Sequence, residues 1–119
     1  YGNALDAGAD VIECDAHASS DGVIVCVHDA NLARTTDEVG LLKDYTIDEL
    51  LVFDAGYWFT DDDGATFPYR GTGLQIATLE EALTAFGDTP ISIEIKQLAD
   101  AFPGLLCCIQ QCDGPVFDC

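Results

Sequence analysis

Basic side chains are nearly missing from this sequence: 4 Lys plus Arg stand against 22 Asp plus Glu, for a formal charge of −18. Nucleic acids and anionic membrane surfaces are recognised through basic footprints, so this balance argues against either as a partner. Long apolar runs are also missing. None reaches the roughly 18 residues that a membrane-spanning helix needs. No basic segment leads into an apolar one, as it would in a secretory signal. The chain opens on Tyr1, not Met, so this last absence decides nothing about compartment, and cytoplasmic and periplasmic or extracellular locations both stay open. Paired CxxC spacing is absent as well. Of the 6 cysteines, Cys14 and Cys26 fall in strand-like apolar runs and read as buried thiols. Cys107, Cys108, Cys112 and Cys119 match no zinc pattern and stay unassigned.

What is present is the composition of a folded chain: 49% apolar and 22% charged residues place it outside the disordered class. Its 119 residues suffice for one small domain with a modest core. So acidic a surface repels itself, and salt relieves the repulsion; we therefore expect a protein suited to high ionic strength.

Local signals alternate between helix and strand. Residues 1–9 read as the end of a helix with Gly8 at its C-cap, and residues 10–18 as a strand. Asp21-Gly22 predicts a two-residue type I′ hairpin turn, which leads into a β-branched strand over residues 23–28. Residues 29–44 are polar and read as loop. Thr46 and Glu49 form a capping box that opens a short helix through Phe53. Residues 54–73, rich in Gly and Asp, form a long excursion of the kind that is functional or makes a small insertion. A second capping box, Thr78 with Glu81, starts a helix through Phe86. Past Pro90, residues 91–95 alternate as a strand. The pattern is α/β.

Glu13 and Asp15, two apart on a strand, leave the same face about 7 Å apart. Two such carboxylates repel each other and are costly to desolvate, and a hard divalent cation between them removes both problems. The same spacing also fits a solvent-facing edge strand with ordinary charges. A type I′ turn at Asp21-Gly22 sets Asp15 opposite His28 and gathers Glu13, Asp15, His17 and His28 on one face. An imidazole there has its charged form favoured, which suits a general acid. Glu94 supplies a third oxygen donor if its strand joins the same sheet. Lys96, set on the opposite parity, could steer an anionic phosphate or simply be solvated.

These residues also carry a resemblance. The stretch from Glu13 and Asp15, through Asp21-Gly22, to His28-Asp29 and Leu32 to Thr36 resembles the glycerophosphodiester phosphodiesterase family. Further on, DELLVFDAGYWF, ATLEEAL and ISIEIK resemble it in the same order, so that residues 1–97 are covered. The resemblance implies a TIM (β/α)8 barrel, here partial, with a small insertion over about residues 29–75 after the His-Asp strand. It implies hydrolysis of glycerophosphodiesters to glycerol 3-phosphate and an alcohol such as choline, ethanolamine or glycerol. Mg2+ or Ca2+ would be held by Glu13, Asp15 and Glu94. Such a cation polarises a phosphoryl oxygen and lowers the pKa of an attacking hydroxyl. His28 would be one of two catalytic histidines, with His17 behind it. Trp58 and Tyr57 would wall the substrate pocket or pack within the insertion.

The family's His-Arg-Gly element is not in this sequence, and residues 98–119 depart from the pattern. A complete barrel takes on the order of 250 residues. The expectation is therefore a partial domain with little turnover by itself. The competing reading is a noncatalytic acidic module that binds divalent cations or a partner, and a phospholipase-type phosphodiesterase is a third.

Overall fold

The computed structural model describes residues 1–97. Helix α1 (Gly2–Asp6) leads to strand β1 (Ile12–Ala18), which turns back as β2 (Ile24–Cys26). Two 3-10 turns (Leu32–Arg34 and Leu42–Asp44), the short helix α2 (Ile47–Leu50), helix α3 (Leu79–Phe86) and strand β3 (Ile91–Ile95) follow. The sheet order is β2-β1-β3, with β1 antiparallel to β2 and parallel to β3. A parallel pair requires a crossover, and α3 is the last part of it.

Local chemistry explains where most elements begin and end. At the end of α1, Gly8 takes φ +96°, its N–H donates to Leu5 and the N–H of Ala9 to Ala4. This pair of bonds is a Schellman motif, which places the C-cap at Ala7, one residue before the expected Gly8. Both capping boxes form. Thr46 and Thr78 accept from the backbone N–H of Glu49 and Glu81, whose carboxylates accept from Thr46 and Thr78 N–H. Regular α2 stops at Leu50, and looser i to i+3 bonds carry the chain on to Phe53.

The hairpin departs from the expected turn. Paired residues are Ala16 with Cys26, His17 with Val25 and Ala18 with Ile24, one register step from the arrangement that a type I′ turn would give. A type I′ turn needs positive φ at both central residues. Here Gly22 has φ +86° but Asp21 does not. Gly22 N–H donates to Ser19 C=O, and Ser19 N–H to Val23 C=O. The loop therefore holds three residues, a tight turn closed by a left-handed Gly. Asp21 favours this form because its Oδ1 accepts from Ser19 Oγ at 2.6 Å and from Ile47 N–H at 3.0 Å.

The two sheet faces carry different loads. The even positions of β1, Cys14 and Ala18, pack with Leu79 and Leu83 of α3 and with Ile24, Cys26, Ile91 and Ile93. On the opposite face, Val25 anchors a second cluster of Leu32, Leu42, Leu50 and Ile76. Residues 29–76 thus supply most of this second cluster. The excursion over 54–73 contains no helix or strand and is closed at its base. Ala55 N–H donates to Leu74 C=O, and Asp54 accepts from the N–H of Gly56 and Gly71.

Candidate functional site

Glu13 and Asp15 leave the face of β1 opposite α3. The parallel register aligns Asp15 with Glu94 and Glu13 with Ser92, so the third carboxylate emerges beside the first two. One carboxylate oxygen from each of Glu13, Asp15 and Glu94 lies within 4.8 Å of the others. Asp15 is half-buried, whereas Glu13 and Glu94 are exposed. Oxygens on opposite sides of a calcium ion are about 4.6–5.2 Å apart and those of magnesium about 4.2 Å. This all-oxygen donor set thus has the hardness and the span to hold a divalent cation.

Lys96 lies against the trio. Its Nζ is 2.7 Å from Glu94 Oε1 and 3.0 Å from Asp15 Oδ1. Hydrogen bonds to Glu94 and then Asp15 raise the Lys96 pKa above its ordinary value. Glu94 and Lys96 are two residues apart and share a face, which corrects the opposite parity expected from the sequence. Lys96 N–H also donates to Ala16 C=O, extending the β1–β3 pairing past the strand.

His28 does not face Asp15 as the type I′ register required. The Asp15 carbonyl accepts instead from Val27 N–H, and β2 ends at Cys26. His28 sits just beyond, exposed, with Nδ1 2.6 Å from Asp29 Oδ1. Because an ionised carboxylate only accepts, His28 carries its proton on Nδ1 and leaves Nε2 free. The second oxygen of Asp29 accepts from Arg34 Nε. Arg34 first and His28 second hold the Asp29 carboxyl well below the usual carboxylate range. Among the described residues, no hydrogen bond or ion pair links His28 to the three carboxylates.

His17 is buried, at 2% exposure, and its Nε2–H donates to the His28 carbonyl at 3.2 Å. Its Nδ1 is buried with no hydrogen-bond partner among the described residues. His17 therefore ties the backbone of residue 28 to β1. Trp58 packs edge-on against Tyr57 and Phe67, and the Arg70 guanidinium lies over all three rings. These contacts keep Trp58 within the excursion.

Sequence reasoning missed the Asp29–Arg34 pair. The His-Asp dipeptide and an arginine five residues on were visible. Their meeting depends on the 3-10 turn at Leu32–Arg34, whose N-cap Asn31 accepts from Ala33 N–H. Asp-Gly was also read only as turn chemistry, whereas Asp21 in addition pins the hairpin to α2.

Three carboxylates and a lysine thus meet on one side of the sheet, and a histidine oriented by its neighbouring aspartate stands just past the end of β2. In comparison with known proteins, the model of the glycerophosphoryl diester phosphodiesterase family matches residues 1–105, and the chain belongs to that family. A glycerophosphodiester phosphodiesterase of Bacillus subtilis (strain 168) is 37% identical over 106 residues, which cover 88% of this chain and 36% of the relative. The glycerophosphoryl diester phosphodiesterase domain of a Mycobacterium tuberculosis protein superposes with TM-score 0.74 at 34% identity, covering 83% of this chain and 37% of that one. A phosphodiesterase of Oleispira antarctica, solved with the product sn-glycerol-3-phosphate, gives TM-score 0.67 at 32% identity, covering 82% and 37%. The chain spans between 36% and 41% of the length of three curated relatives that it matches. Among the described residues, no helix is long and apolar enough to cross a membrane.

Proposed function

We propose that this chain is part of a (β/α)8-barrel glycerophosphodiester phosphodiesterase, in which Glu13, Asp15 and Glu94 hold a divalent cation, Mg2+ or Ca2+. The observation that carries the reading is the convergence of these three carboxylates, from two neighbouring parallel strands, to within 4.8 Å. Family membership and the product-bound relative support the substrate class. In this reading residues 1–97 are the barrel portion, with about 29–75 as its insertion, and residues 98–119 lie outside the described residues.

The cation, when bound, supplies charge neutralisation at the phosphoryl oxygens and lowers the pKa of an attacking hydroxyl. His28 takes or returns a proton through Nε2, at the attacking or the leaving oxygen, while Asp29 fixes its ring and tautomer. His17 holds the His28 backbone from behind. Lys96 offers the positive charge nearest the carboxylates to the substrate phosphate. Hydrolysis yields glycerol 3-phosphate and an alcohol.

In this reading one imidazole serves the attacking oxygen and a second serves the leaving oxygen. The 119 residues contain 2 His, of which His17 is buried and engaged, so this stretch alone is expected to show little turnover. The full gene product is expected to hydrolyse glycerophosphocholine, and EDTA or His28→Ala to abolish the activity. Divalent-cation binding by that protein without hydrolysis would instead favour the noncatalytic acidic module.

A further inference from the structure

We propose that Lys96 is the resident counter-cation of the carboxylate trio and is released when a divalent cation binds, so that Lys96 sets the metal affinity of the site. The inference rests on the reading of Glu13, Asp15 and Glu94 as metal ligands. The ammonium contacts two of the three carboxylates, at 2.7 Å and 3.0 Å. A divalent ion bound about 2.0–2.6 Å from the same groups meets a like charge a few ångströms away. Attraction that the carboxylates now give to Nζ is attraction that the metal has to win from it.

Burial strengthens the competition. The side chains of Lys96 and Asp15 are only 22% and 15% exposed, so bulk salt screens this pair less than a surface pair. The backbone of Lys96 is held at the end of β3 by its N–H bond to Ala16 C=O. Release is therefore a rotation of the long, flexible side chain and requires no movement of the sheet. Once free, the same ammonium is available to an anionic group of the substrate. Glu13 has no cationic partner among the described residues, so it is the carboxylate of the trio that a metal binds without displacing the ammonium.

The test is calorimetric titration of the full gene product with CaCl2 and with MgCl2. Lys96→Met removes the competitor, and the dissociation constant is expected to fall about tenfold. Lys96→Arg retains the charge and is expected to stay within about threefold of wild type. Wild-type binding that Lys96→Met leaves equal or weaker overturns the inference and leaves the metal reading standing. Absence of binding in both proteins overturns the metal reading and the inference together. Should Lys96→Met fail to fold, amine acetylation of the wild type mapped by mass spectrometry decides. Lys96 should react faster relative to Lys43 when calcium is added, and an unchanged ratio overturns the proposal.

Discussion

Replacing Asp29 by Asn tests whether His28 works as an oriented proton carrier. Asp29 divides its carboxylate between two donors, with Oδ1 2.6 Å from His28 Nδ1 and Oδ2 accepting from Arg34 Nε. The amide keeps the shape but offers one acceptor and one donor. With its oxygen toward His28, its NH2 meets the Arg34 N–H and two donors collide, so the Arg34 anchor is lost. Turned the other way, it obliges His28 to accept on Nδ1 and carry its proton on Nε2, the nitrogen that should be free. Positioned general acid–base catalysis contributes about 10²–10⁴-fold, and the ring remains in place in either case, so kcat should fall by about 10²-fold. Divalent-cation affinity should stay within about twofold, because Asp29 is not one of the three clustered carboxylates. The assay is choline release from glycerophosphocholine by the full gene product, with calorimetric titration of calcium alongside. A variant whose kcat stays within about threefold of wild type refutes the assigned role of Asp29, and one that loses metal affinity refutes the separation of the two sites.

Three further outcomes are expected. Leu32→Ala, at a fully buried position in the second core cluster, should cost about 2–5 kcal/mol of stability in urea denaturation; a loss below 1 kcal/mol would mean that this cluster packs loosely. Burial, with Cys14 next to it, pushes the Cys26 thiol up to about 12. The folded state thus favours the neutral thiol, and that contribution is complete below the ordinary thiol value of about 8.5 and disappears as pH rises toward 12. The urea midpoint should fall above pH 9, and less steeply in Cys26→Ala; equal slopes count against the burial argument. The charge of −18 predicts a higher urea midpoint in 2 M KCl than in 50 mM KCl, and the reverse order would dispose of the high-salt expectation.

The elements that were legible in the sequence are those determined by neighbours in the chain. Each Thr-x-x-Glu box reaches only three residues, and both formed as read; β3 occupies the residues expected of it. The hairpin register was not legible, because Asp-Gly serves a two-residue and a three-residue loop equally well. The three-residue form is held by contacts of Asp21 with Ser19 and with Ile47, the latter 26 residues away. The shared face of Glu13 and Asp15 survived that error, since it follows from the two-residue period of β1 alone. The convergence of Glu94 on them requires the alignment of β1 with β3, which no local pattern encodes. His28 was tied to the trio through the hairpin and shifted with it. Its real partner, Asp29, is the next residue and was readable, while the reach of Arg34 back to Asp29 was not.

The placement of the four basic residues separates two kinds of acidity in this protein. Lys43 makes an exposed pair with the adjacent Asp44, an arrangement worth little. Arg70 lies over the aromatic rings of the excursion and donates to Tyr57 C=O. The other two, Arg34 and Lys96, are at Asp29 and at the Asp15–Glu94 pair. Among the described residues, most other carboxylates have no cationic partner and are screened by solvent and mobile ions, whereas Asp29, Asp15 and Glu94 have fixed cationic partners at contact distance. Potassium chloride should act on the first group, through screening. Calcium should act on the second, through binding to the folded state only. Saturating calcium should therefore still raise the melting temperature of the full gene product in 2 M KCl, where the diffuse repulsion is already gone. If the calcium effect vanishes at high potassium chloride, Glu13, Asp15 and Glu94 are no more than part of the acidic surface.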